Sequence, residues 1–175
     1  MKQLILGGAR SGKSTLAESL AGGTALSVLY VATATAGDRA MAERIAFHQS
    51  RRPDEWDLVE EPLALVKVLQ DHARSDRCIL VDCLTLWLTN TLLQDEGEHL
   101  KREVDALVEL LPQLPGEIIF VSNEVGMGVV PMGELTRQFV DESGWMHQRI
   151  AAQCDRVILT VAGLPQVLKG DSSGL

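Results

Sequence analysis

Apolar and polar positions alternate along this chain on two length scales. Short runs at 3–6, 27–32, 78–82, 118–122 and 156–161 are dominated by Val, Ile and Leu, the composition of strands buried on both faces. Between them lie longer stretches with apolar residues three and four apart. These predict helices over 13–21, 38–50, 63–73, 84–93, 99–111 and 133–153. The last helix offers Leu135, Phe139, Met146 and Ile150 to a core, with Gly144 as a potential interruption. Residues 57–61 read as a short edge strand closed by Pro62. Ala162-Gly163-Leu164-Pro165 reads as a turn from which 166–168 return antiparallel. Strands alternating with helices in this way predict an α/β fold, a mostly parallel sheet with helices on both faces and an antiparallel carboxyl-terminal edge strand. Residues 1–169 are expected to form a single domain, and 170–175, small and polar, a disordered tail.

Sheets of this kind bind ligands beyond the carboxyl ends of their strands. That rule lines up residues 7–14, Ala32-Thr33-Ala34-Thr35, Asp82-Cys83-Leu84-Thr85 and Asn123-Glu124-Val125-Gly126-Met127-Gly128 along one crevice. Within the first segment, Gly7-Gly8-Ala9-Arg10-Ser11-Gly12-Lys13-Ser14 fits the phosphate-loop pattern G-x-x-x-x-G-K-[ST]. Its glycines let backbone N–H groups turn inward around an anion. Lys13 supplies a point charge for β- and γ-phosphates, and the Ser14 hydroxyl is a ligand for Mg²⁺. The helix expected to begin at Lys13 points its positive end at the same phosphates. This reads as a phosphate-loop NTPase fold.

Size and charge narrow the partners. The chain has 175 residues, 46% of them hydrophobic, and a net charge of −8, which suits one packed domain and argues against nucleic acid as the main ligand. Cys78, Cys83 and Cys154 lack metal-ligand spacing, and their odd number gives no complete disulfide framework. They read as reduced thiols of a cytoplasmic protein. No run reaches the ~20 apolar residues of a membrane span.

Further chemistry is suggested by single residues. Asp82 ends an apolar strand, where a carboxylate can reach Mg²⁺ or hold a nucleobase; both readings stay open. His48 lies in Arg44-Ile45-Ala46-Phe47-His48-Gln49-Ser50-Arg51-Arg52, on the helical face of Met41 and Ile45. Most such histidines are structural or solvated. A neutral imidazole is nevertheless a competent nucleophile toward phosphorus, and Arg51 and Arg52 can neutralise a phosphate beside it. His72, His99 and His147 read as structural or exposed. The run from Asn123 to Pro131 either closes over a large, partly apolar acceptor or is a connection whose valines pack inward. Trp56, Trp87 and Trp145 fit a core as well as a site.

Together these segments resemble the bifunctional adenosylcobinamide kinase/adenosylcobinamide-phosphate guanylyltransferase family of cobalamin biosynthesis. The resemblance rests on Gly7 to Ser14, Tyr30-Val31-Ala32-Thr33-Ala34, Arg44-Ile45 with His48 and Arg52-Pro53, Trp56, and Asn123-Glu124-Val125-Gly126-Met127-Gly128-Val129-Val130-Pro131. It implies two reactions in one domain. The γ-phosphoryl of ATP or GTP passes to the hydroxyl of adenosylcobinamide, and GTP then gives GMP to adenosylcobinamide phosphate through a guanylyl-histidine, releasing pyrophosphate. By motif alignment the intermediate falls on His48; Lys13, also catalytic, would with Mg²⁺ offset the charge of the departing pyrophosphate. Nucleotide-binding positions fall on Gly7, Gly8, Ala9, Arg10, Ser11, Gly12, Lys13 and Ser14, on Ala32, Thr33 and Ala34, on Gln49, Ser50, Arg51 and Arg52, and on Glu60 and Asp82. Glu60 and Asp82 suit the N1–H and 2-amino group of guanine. The family carries a glutamate where this chain has Asp82, which leaves base and metal roles both open there. A homotrimer is also implied. Glu124 and Asp82 are both candidates for the general base toward the acceptor. The rival readings are a simple small-molecule kinase with a structural His48, and a nucleotide switch, for which no water-positioning Gln segment is recognisable.

Overall fold

The computed structural model describes residues 1–35, 53–94, 97–172 and 174. Its strands are β1 (Lys2–Gly7), β2 (Ser27–Ala32), β3 (Asp57–Glu60), β4 (Arg77–Asp82), β5 (Glu117–Asn123), β6 (Arg156–Val161) and β7 (Leu164–Lys169). They form one sheet in the order β3-β2-β4-β5-β1-β6-β7. Neighbours are parallel except β6 and β7. The helices are α1 (Lys13–Gly22), α2 (Leu65–His72), α3 (Leu84–Leu92), α4 (Glu98–Leu110) and α5 (Glu134–Gln153), with a 3₁₀ turn at Leu111–Gln113.

Central strands explain the continuous apolar runs, since every residue of β1 is buried and successive side chains enter opposite layers. Leu4 and Leu6 join Phe120, Trp87, Leu69, Val104 and Ile150 under α2, α3, α4 and α5. Ile5 joins Tyr30, Leu80, Ile119 and Val121 on the other face, where α1 brings Ala17 and Ala21. Small residues at that seam let α1 lie close to the sheet and set the phosphate loop at its edge.

The differences from the pattern-based expectation have local causes. The predicted turn at 162–165 shrinks to Ala162 and Gly163, with φ of 52° and 80°, so β7 begins at Leu164; a two-residue turn with both φ positive matches strand twist. Pro165 is tolerated because β7 is an edge strand. α2 starts at Leu65 rather than 63, because Glu61 Oε1 accepts the amides of Leu63 and Ala64 at 2.8 and 2.9 Å and makes a capping turn of that stretch. α5 runs unbroken through Gly144. The helix expected at 38–50 lies outside the described residues.

The three tryptophans divide by environment. Trp145 is 57% exposed, Trp56 packs at the margin of the α1 layer, and Trp87 is fully buried with Nε1 donating to Leu63 O at 2.8 Å. Trp87→Ala is expected to cost about 3–5 kcal/mol, from a large cavity plus an orphaned carbonyl. Equilibrium urea unfolding checks it as a lower midpoint at unchanged slope. Cys78, Cys83 and Cys154 are free and buried, and burial pushes each thiol up to about 12. They are therefore protonated at neutral pH and unsuited to nucleophilic work. Among the described residues no helix is long and apolar enough to cross a membrane.

Candidate active site

The loop after β1 is shaped by a few backbone requirements. Arg10 has φ of 57° and Gly12, the residue capping α1, has φ of 95°. Ser11 N–H donates to Gly8 O at 3.3 Å, and Leu16 N–H to Gly12 O at 3.0 Å, which starts the helix. No side chain caps α1 and its first turn holds no acid, so its leading N–H groups and dipole are available to an anion. Lys13 Nζ folds back over the loop and donates to Gly8 O at 3.1 Å. A Cβ on Gly7 would collide with Ser11 Oγ and lie 2.6 Å from Thr160 O, whereas one on Gly8 would meet open space. Gly7 is thus required by packing, and Gly8 leaves the mouth of the loop clear.

The β6–β7 turn buttresses this loop from behind. Gly163 N–H donates to Ser11 O at 2.8 Å, and a Cβ on Gly12 would sit 3.1 Å from Gly163 Cα. The sequence marked Gly163 only as a turn residue.

Beyond the loop, strand register assembles residues that the sequence could only nominate separately. Ala32 pairs with Glu60 on one side and with Asp82 on the other, so the two carboxylates flank a methyl group on one face of the sheet. Tyr30, two residues earlier on that face, donates its hydroxyl to Asp82 Oδ2 at 3.1 Å. Thr33 is fully buried. Its Oγ1 donates to Cys83 O at 2.7 Å and accepts from Cys83 N–H at 2.9 Å, strapping the ends of β2 and β4 together. Ala34 follows it, partly exposed at the same edge.

Asn123 pairs with Gly7 at the end of β5, and Glu124 N–H donates to Gly7 O at 3.0 Å. The connection that follows does not pack inward: Val129 and Val130 are 96% and 73% exposed. His147, expected to be structural or exposed, is buried with Nε2 2.7 Å from Ser122 Oγ and Nδ1 3.9 Å from Glu124 Oε2. Burial pushes its pKa down, against an opposing pull from Glu124. His48, Gln49, Ser50, Arg51 and Arg52 lie outside the described residues. Among the described residues no three His, Cys, Asp or Glu groups gather in a metal-holding cluster.

The model of the CobU family, cobinamide kinase / cobinamide phosphate guanyltransferase, matches residues 3–168. The chain belongs to this family. A relative described as the bifunctional adenosylcobalamin biosynthesis protein CobP of Pseudomonas aeruginosa is 61% identical over 171 residues, 98% of this chain and 99% of the relative. The bifunctional adenosylcobalamin biosynthesis protein CobU of Salmonella typhimurium is 38% identical, over 97% of this chain and 100% of its own. The solved structure of an ATPase from a bacterial type III secretion system shares the fold at 12% identity, with a TM-score of 0.58 over 90% of this chain and 51% of that one. The family identity agrees with the resemblance carried by the phosphate loop, His48 and the Asn123 run. The fold agrees with that of a phosphate-loop NTPase.

Proposed function

We propose that this protein phosphorylates adenosylcobinamide with ATP or GTP and then transfers GMP from GTP to adenosylcobinamide phosphate, by way of a guanylyl group on His48. The products of the second step are adenosylcobinamide-GDP and pyrophosphate. The observation that carries the reading is the open, glycine-lined loop at Gly7 to Ser14, set on the same sheet edge as Ala32, Asp82 and Glu124 in a chain matched by the CobU family model over residues 3–168.

One cradle serves both reactions. With β- and γ-phosphates between Lys13 and the α1 N–H groups, the γ-phosphorus is the electrophile in the first step. In the second, the same groups hold the departing pyrophosphate while the imidazole of His48 attacks the α-phosphorus, and the covalent step divides one displacement into two. Arg51 and Arg52 are assigned to the phosphates beside His48, with Gln49 and Ser50 contacting the same nucleotide. Glu60 lies four strands from β1, about 19 Å at ordinary strand spacing, at the same carboxyl end of the sheet as the loop. It is assigned to the guanine edge. Asp82, two strands from β1 and so about 10 Å away, is in reach of base and metal. The hydroxyl of Ser14 and the carboxylate of Asp82 are hard oxygen donors that suit Mg²⁺ with phosphate oxygens completing its shell. When bound, that ion would offset negative charge on the phosphates. The apolar surface at Met127, Val129, Val130 and Met132 suits a large, partly apolar acceptor. The homotrimer implied by the family resemblance is part of the same reading.

Incubation with α-³²P-GTP and Mg²⁺ tests it. The expected result is a labelled protein band that is acid-labile and alkali-stable, the signature of a phosphoramidate, and that loses its label to adenosylcobinamide phosphate. A protein that binds GTP but never becomes labelled overturns the covalent route.

A further inference from the structure

A line of buried hydroxyls crosses from α3 through β5 to α5 and ends against Glu124. Asn123 N–H donates to Thr85 Oγ1 at 2.7 Å, and Thr85 Oγ1 and Ser122 Oγ share a hydrogen bond of 3.1 Å in which either hydroxyl can donate. Ser122 Oγ is in turn hydrogen-bonded to His147 Nε2 at 2.7 Å. With the Glu124 carboxylate beside Nδ1, a neutral imidazole favours its hydrogen on Nδ1 and accepts from Ser122 at Nε2. Nδ1 faces Glu124 Oε2 at 3.9 Å, an electrostatic contact longer than a hydrogen bond, while Glu124 Oε1 accepts the Gly126 amide at 2.6 Å. Thr85, Ser122 and His147 are 7%, 0% and 6% exposed, whereas the Glu124 side chain is 21% exposed. The network is buried up to its last member, which is partly exposed at the carboxyl end of β5.

Glu124 also stands beside the phosphates' cradle. Its amide is bonded to Gly7 O, and β5 lies between β1, which feeds the loop, and β4, which ends at Asp82. Asp82 is differently engaged, with Tyr30 on its Oδ2.

The two proposed reactions differ by one proton. In the first the acceptor is an alcohol: its oxygen bonds to the γ-phosphorus, the bond from that phosphorus to the nucleoside diphosphate breaks with its electron pair staying on the diphosphate, and the hydroxyl proton must go to a base. In the second the acceptor is a phosphate monoester, whose oxygens are ionised near neutral pH and need no base.

We propose that Glu124 Oε2 takes the acceptor's hydroxyl proton in the phosphoryl-transfer step, and that Thr85, Ser122 and His147 are positioning residues that hold its carboxylate toward the loop. The inference rests on the two-reaction reading above. After transfer the proton passes from Glu124 to water.

The test measures both reactions on the full chain, ATP with adenosylcobinamide for the first and GTP with adenosylcobinamide phosphate for the second. Glu124→Gln keeps the shape of the side chain and loses its basic oxygen. It is expected to lower kcat of the first reaction about 100-fold or more, with KM for ATP within about twofold and the second reaction within about threefold. His147→Leu, which removes the polar Nδ1 edge facing Glu124, is expected to lower kcat of the first reaction about tenfold, and His147→Asn, whose amide can present an N–H on that side, to restore most of it. The His147 pair reads the same outcome should Glu124→Gln fold poorly. Glu124→Gln phosphorylating at the wild-type rate, or equal loss of both reactions in these variants, overturns the assignment. A wild-type protein that transfers GMP yet never phosphorylates adenosylcobinamide removes the two-reaction reading, and the proposal with it.

Discussion

Lys13→Ala is expected to lower kcat/KM of both reactions by about 10³-fold or more, a loss of roughly 4 kcal/mol of transition-state stabilisation, while leaving the fold intact. The argument is electrostatic. The Lys13 ammonium folds back over the loop, 3.1 Å from Gly8 O, where the proposed binding mode puts the β- and γ-phosphates. Phosphoryl transfer develops charge on the diphosphate, and guanylyl transfer develops it on pyrophosphate, so one cation serves both. Stability should be insensitive, because the ammonium bonds to a loop carbonyl and contributes nothing to either hydrophobic layer. Steady-state rates for each reaction and a urea unfolding curve decide it. A deficit confined to one reaction would mean that the phosphates occupy different cradles in the two steps. Lys13→Arg is expected to recover little, since a planar fork does not replace a point charge at a closely fitted anion.

The loop was legible in sequence because everything it needs is contiguous: glycines, lysine, serine and a helix-forming run following a strand. Central strands were legible for the same reason, each being a local run whose burial on both faces erases alternation. Relations across the sheet were not. Nothing local tells that Glu60 and Asp82 flank Ala32, since pairing register is fixed by packing between strands far apart in sequence. The Thr85–Ser122–His147 line joins residues 37 and 25 positions apart. Its one local sign was that His147 precedes Ile150 by a helical i+3 step on a buried face, which reads as core in most helices. Apolar composition also misleads outside the core. Val129 and Val130 look like residues for a core, yet stand exposed, because a short connection from β5 to α5 gives them no layer to enter. Gly144 is a potential interruption of the helix expected over 133–153, but twenty residues of α5 anchored by Met146 and Ile150 override one unfavourable propensity.

His48→Ala is expected to separate the two activities. Labelling by α-³²P-GTP and formation of adenosylcobinamide-GDP should fall below detection, because no nucleophile remains to displace pyrophosphate. Phosphorylation of adenosylcobinamide should stay within about threefold of wild type, since that step attacks a different phosphorus and uses no covalent intermediate. Elimination among the four histidines favours this position. His147 is buried with Nε2 held by Ser122. His99 Nε2 is enclosed from solvent. His72 ends α2, which leads into the amino end of β4, the sheet edge opposite the loop. His48 instead follows β2 in the sequence, and β2 ends beside Asp82 on the loop's edge. Persistent acid-labile label in His48→Ala would place the nucleophile elsewhere and overturn this assignment. Parallel loss of both reactions, with GTP still bound, would make His48 a group that organises the nucleotide rather than one that attacks it.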